Sequence, residues 1–79
     1  MSKEVTFRPK EFSDRVDVLV DGQWCGQYWP YPPTDPKATW SCKVFSKVEE
    51  HIEYMPTEAE AQKYMRVAVL DPDVEPRGR

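Results

Sequence analysis

The tightest constraint on this chain is a helix start. In Pro56-Thr57-Glu58-Ala59-Glu60-Ala61, Thr57 stands three residues before Glu60. The Thr hydroxyl can accept the Glu60 N–H while the Glu60 carboxylate reaches back to the Thr57 N–H. Glu58 and Glu60 also suit the positive end of the helix dipole. Pro56 biases Met55 toward extended geometry and so separates the helix from what precedes it. Beyond the cap, Ala61, Tyr64, Met65 and Ala68 recur at helical spacing, which makes one apolar stripe. Leu70 falls opposite that stripe and Asp71-Pro72 follows, so the spacing predicts a helix from Thr57 to about Val69. A helix of about 12 residues is marginal alone in water. The rest of the chain must therefore supply a surface on which its stripe can lie.

That surface reads as a sheet. Val5-Thr6-Phe7-Arg8 alternates briefly before Pro9, which fits an edge strand or its end. From Arg15 to Val20, three valines (Val16, Val18, Val20) share one face. Asp21-Gly22 then signals a tight hairpin, since both residues tolerate positive φ. The return strand runs from Gln23 to about Trp29, in either of two registers. A strict two-residue loop pairs Val18 with Cys25 and puts Trp24 and Tyr28 opposite the valines, whereas a bulge at Gly22 reverses the faces. Gly26 in mid-strand suggests a bulge or a close backbone approach. Residues 29–36 hold four prolines and read as a polyproline-like connector. Thr39 to Phe45 is a further strand. Residues 46–55 fit a strand through the shared parity of Val48, Ile52 and Tyr54. They also fit a helix through the box Ser46-Lys47-Val48-Glu49, and the strand is favoured. The expected fold is α+β: a three- or four-stranded antiparallel meander with one C-terminal helix packed on a face. It forms a single domain over 1–70, with 71–79 as a disordered tail.

A domain of 79 residues buries only about 60% of the surface its unfolded chain exposes. Ten aromatic residues, three of them Trp, help to offset this. Cys25 and Cys42 are too few for a disulfide framework and read as small apolar strand residues in a reducing, cytoplasmic compartment. The start Met-Ser-Lys-Glu-Val is neither a signal peptide nor an anchor. With His51 the two cysteines form no metal-ligand spacing, so no metal and no cofactor are expected. One His cannot be tied to either thiol as a catalytic base, and the three glycines make no phosphate loop. No catalytic residue is assigned, and the chain is read as a non-enzyme.

Charge is uneven along the chain. Residues 1–48 carry seven Lys/Arg against six Asp/Glu, and residues 49–79 carry four against eight. From Glu49 to Glu60 there are five glutamates and no cation. Such a run is ordinarily a solvated face, and it also suits a basic partner. A chain with pI near 5.1 is poorly equipped to neutralise phosphates. Aromatics are favoured anchors in protein interfaces. Contact with a protein or nucleoprotein is therefore preferred to direct nucleic-acid binding. The expected partner-binding residues are Trp29, Tyr31 and Trp40 as apolar anchors, with Glu49, Glu50 and Glu53 as an electrostatic edge. The alternative is a sheet-face nucleic-acid module with Arg15, Lys43 and Lys47 on phosphates. Homodimerisation through a free sheet edge is a third possibility.

Two resemblances accompany these readings. A meander followed by a Thr-x-x-Glu-Ala helix start, over about residues 15–68, looks like the topology of small integrase-arm DNA-binding domains, which read the major groove from the sheet. The Val-x-Val-x-Val-Asp-Gly hairpin, the Pro-Thr-Glu-Ala-Glu-Ala helix start, the small size and the acidic balance resemble small accessory proteins of bacteriophages and prophages, including some anti-CRISPR proteins. This second resemblance implies a stoichiometric inhibitor or modulator of a host protein or nucleoprotein complex, such as a CRISPR effector.

Overall fold

The structure is a computed structural model, describing residues 3–31 and 39–77. Its elements follow chain order: β1 (Val5–Pro9), β2 (Val16–Val20), β3 (Gln23–Tyr31), β4 (Thr39–Val44), β5 (Ile52–Met55) and α1 (Glu58–Ala68). The strands form one antiparallel meander in the order β1-β2-β3-β4-β5. The α+β class and the C-terminal helix match the sequence reading, but five strands replace the expected three or four. The uncounted strand is β1, whose short alternation places Val5 opposite Val20 and Phe7 opposite Val18. Residues 46–55 hold β5 and no helix. The Ser46 hydroxyl accepts the Val48 N–H at 3.1 Å in a local turn, where a capping box would have bonded Glu49.

The hairpin combines the two registers considered for it. Asp21 (φ 52°) and Gly22 (φ 84°) form a two-residue loop, as a type I′ turn requires. Leu19 accordingly pairs with Trp24, but Val18 then pairs with Gly26, so Cys25 is an extra residue on β3. This bulge changes the strand's parity. Trp24 stays with Leu19 on the face away from the valines, whereas Tyr28, opposite Val16, returns to the valine face. Gly26 meets its neighbours closely: a Cβ there would lie 2.5 Å from the Lys43 carbonyl oxygen and 2.8 Å from Met65 Cε.

β3 also runs further than expected, through Pro30 to Tyr31, with Pro30 opposite Trp40. The Phe45 N–H donates to the Cys25 carbonyl, so alternation turns the Pro30 nitrogen away from β4. It points toward the side that β2 has already left at the Val16–Tyr28 pair, and the missing N–H removes no ladder bond. The remaining polyproline segment, with its Pro33-x-x-Pro36 pattern, lies outside the described residues.

Thr57 caps α1, its hydroxyl accepting the Glu60 N–H at 3.2 Å. Ala61, Met65 and Val69 are buried, and with Val18, Val20, Cys25, Tyr28 and Cys42 they make the core. The Tyr28 hydroxyl keeps polar partners at the core's edge: it donates to Glu58 Oε2 at 3.1 Å and accepts from Gln62 Nε2 at 2.9 Å. The expected tail disorder is corrected over residues 71–77. Lys47, Glu75 and Arg77 join this segment to the sheet through N–H bonds of 2.8–3.0 Å to Asp73, Phe45 and Trp24 carbonyls respectively. Val74 packs against the core. Apolar contact and backbone pairing thus hold a segment whose charge and prolines suggested solvation. Among the described residues no helix is long and apolar enough to cross a membrane.

Candidate interaction surface

One helix covers one face of the sheet, and the register assigns the side chains of the other. Arg8, Asp17, Gln27, Lys43 and Ile52 lie opposite one another in a row across all five strands. Trp29, Ser41 and Tyr54 form the next row, and Tyr31 and Thr39 lie beyond it. Leu19 and Trp24 lie on the other side of the first row, with the Trp24 ring edge-on to Phe45 at 4.7 Å.

Cations are interleaved with these rings. Lys10 Nζ lies 5.2 Å from the Trp24 ring, Arg15 Cζ 4.3 Å from Trp29 and Arg77 Cζ 5.1 Å from Phe45. Lys10 and Arg77 come from segments flanking the strands, and only folding lays them on this face. Two carboxylates organise the cations. Asp17 is buried, with Arg8 Nη2 and Lys10 Nζ each 4.0 Å away. Its Oδ1 and Trp24 Nε1 are buried without hydrogen-bond partners among the described residues. Glu50 lies 3.5 Å from Lys43 Nζ and also pairs with Arg77. Loss of water around Glu50 works against its charge, but Arg77 and then Lys43 outweigh this and hold the carboxyl below its usual range.

The β1–β2 loop adds a feature the sequence reading passed over. Phe12 is 99% exposed and has φ 61°, a conformation uncommon for a non-glycine residue. The loop is closed by the Lys10 N–H on the Arg15 carbonyl at 3.0 Å and by the Arg15 N–H on Ser13 Oγ at 3.1 Å. Ser13, Asp14 and Arg15 then line a groove of about 340 Å³ with Trp29, Pro30 and Tyr31. An aromatic residue between Glu11 and Ser13, outside any periodic run, was the only sequence signal for it.

The six expected partner-binding residues do not form one site. Trp29 and Tyr31, the latter 63% exposed, lie together in this groove. Trp40 is on the helix side, its ring 5.7 Å from Tyr28, packed against the core. Glu50 is held among the open-face cations. Glu53 faces the helix side opposite Cys42, with His51 Nε2 at 3.1 Å. Glu49 lines a separate groove with His51, Tyr64, Asp71 and Asp73. The glutamate run is thus divided among three surroundings. Of the alternative phosphate contacts, Arg15 and Lys43 reach the open face, and Lys47 is an exposed residue of the β4–β5 connection.

Chemistry by cysteine finds little support here. Both thiols are free and buried. Burial, with Glu53 adding to it, pushes the Cys42 thiol up to about 11, and burial raises Cys25 as well. Neither is poised as a thiolate nucleophile. Among the described residues no group of three or more His, Cys, Asp or Glu is placed to hold a metal ion. The chain matches no protein-family model, and comparison with curated proteins and with solved structures finds no match.

Proposed function

We propose that this chain is a non-catalytic binding module that acts by stoichiometric contact through the β1–β2 loop and the end of β3. Its partner is a host protein or nucleoprotein complex, and its setting is the host cytoplasm. The resemblance to phage accessory proteins, anti-CRISPR inhibitors among them, gives the reading its biological frame. The observation that carries it is Phe12: an apolar ring wholly in solvent, on a strained backbone, beside the Trp29–Tyr31 groove. A ring held out in this way forgoes burial that a partner's pocket would restore. Trp, Tyr and Arg are the residue types that dominate interface energetics, and Trp29, Tyr31 and Arg15 line the groove whose wall begins at Ser13, the residue after Phe12.

The test is affinity capture from a bacterial lysate, with and without nuclease, using the parent chain and the variants Phe12→Ala, Tyr31→Ala and Glu53→Lys. Loss of a specific captured protein with the first two variants, and its retention with the third, supports this surface. Capture that survives both aromatic substitutions, or is lost only with Glu53→Lys, refutes the assignment.

A further inference from the structure

Cations and carboxylates are distributed differently on the two faces. The helix side holds Glu53 and Glu58 together with Lys63 and Arg66 of α1, and the neighbouring groove is lined by Glu49, Asp71 and Asp73. The open side of the sheet holds Arg8, Lys10, Arg15, Lys43 and Arg77 against Asp17 and Glu50. Each of these carboxylates serves two cations, so each set keeps one positive charge in excess, and Arg15 adds a third. The overall charge of −3 hides this cationic surface. Asp14 borders it at the groove. Between and beside the cations lie Trp29, Tyr31 and Tyr54, of which the two tyrosines are 63% and 61% exposed.

We infer that this open face binds single-stranded nucleic acid. The inference rests on the binding-module reading and deepens it by naming the chemistry of one partner component. Planar rings offer stacking to unpaired bases of any sequence, and cations spaced among them meet the phosphates between those bases. An acidic protein segment would use the cations but has no bases for the rings. A duplex keeps its bases stacked and hides their faces. Asp17 and Glu50 set the spacing: each holds two long basic side chains side by side, which lowers the ordering cost when a strand arrives.

The experiment uses the full chain and a labelled 12-nucleotide single strand, read by fluorescence anisotropy and by quenching of tryptophan emission. The same sequence as a duplex, and poly-glutamate as competitor, are run in parallel. Neutralising two or three phosphates on a single strand gives a log–log salt slope of about −1.5 to −2, hence roughly 8- to 16-fold weaker binding from 50 to 200 mM salt. The single strand is expected to bind more tightly than the duplex, with that slope and with quenching. Arg15→Gln, at an exposed loop position, should flatten the slope by about 0.7. Glu50→Gln frees Lys43 and Arg77 and should tighten binding and steepen the slope, a gain that damage to the fold does not produce.

No anisotropy change up to the solubility limit overturns the inference. So does competition by poly-glutamate as effective as that of the unlabelled strand, or weaker binding by Glu50→Gln while its melting temperature is unchanged. If the oligonucleotide fails but Phe12→Ala still abolishes protein capture, this inference falls and the binding-module reading stands. If both fail, the surface itself has been misassigned.

Discussion

Replacing Gly26 by alanine tests the packing of the whole domain at one atom. The added methyl would sit 2.5 Å from the Lys43 carbonyl oxygen, 2.8 Å from Met65 Cε and 3.3 Å from Val44 Cα. Met65 Cε is the end of a flexible side chain and can move. The carbonyl belongs to β4, opposite a β3 strand with which it is in register, so it moves only if the sheet opens. Overpacking of this kind costs roughly 1–3 kcal/mol, and a backbone partner puts Gly26→Ala near the top of that range. The alanine recovers about 0.4–1 kcal/mol by restricting the unfolded chain, leaving a net loss of about 2 kcal/mol. With a urea m-value of about 1 kcal/mol/M for a small domain, the unfolding midpoint should fall by about 2 M. Gly22→Ala is the control. It has open space around it but φ +84°, so it should lose only about 1 kcal/mol to backbone conformation. Gly26→Ala combined with Met65→Leu should recover part of the loss and no more, because the carbonyl contact remains. A midpoint for Gly26→Ala within about 0.5 M of the parent would refute the argument. A double variant as stable as Met65→Leu alone would show that the side chain, and not the strand, set the limit.

Thr57→Ala removes the acceptor of the Glu60 N–H and should cost about 1 kcal/mol in urea unfolding, while Thr57→Ser should keep most of it. Tyr28→Phe leaves Gln62 and Glu58 without their shared hydroxyl, and a loss of about 1 kcal/mol is expected from the same assay. Because the Cys42 thiol is raised in the folded state to about 11 from an ordinary 9.0, the unfolded chain ionises first as pH rises. Stability should therefore be unaffected by this group below about pH 9 and fall between there and about 11, and Cys42→Ala should show a shallower decline. Self-association is expected to use β5, whose outer edge has no strand partner among the described residues and borders a groove lined by Met55, Tyr64 and the exposed Val67. Light scattering at rising concentration should then show a dimer that Val67→Lys abolishes, and a dimer that persists in that variant would place the contact elsewhere.

Much of the local structure was legible from residues close together in the chain. Thr57 and Glu60 define a helix start within a single turn, and Asp21-Gly22 defines the hairpin through backbone conformations that few residues tolerate. The helical stripe named Ala61 and Met65 as buried for the same local reason, and both are fully enclosed. The pairing of β1 was not legible, because a five-residue strand with a terminal proline gains its stability from β2 and from Tyr28 and Arg66 against the Phe7 ring, partners that its own residues do not announce. Nor was the docking of residues 71–77, whose hydrogen-bond partners, the Trp24 and Phe45 carbonyls and the Lys47 N–H, are distant in sequence.

The candidate site divides along the same line. Trp29 and Tyr31 could be named by residue type from the aromatic, proline-rich stretch, but only the extension of β3 to Tyr31 puts both on one side of a strand. Trp40 could not be told from them, since one residue of register decides whether a strand side chain meets the helix or faces solvent. A single bulge at Cys25 sets that relation for Trp24 and Tyr28. The cationic surface has a similar origin: Lys10 and Arg77, 67 positions apart, share a face only once the loop and the C-terminal segment have folded over the sheet. The chain's order of residues thus determined its caps, turn and strand alternation, which depend on neighbours within a few positions. The tertiary structure alone decided which face each side chain joined, because that depends on register and on which side of the sheet the one helix covers.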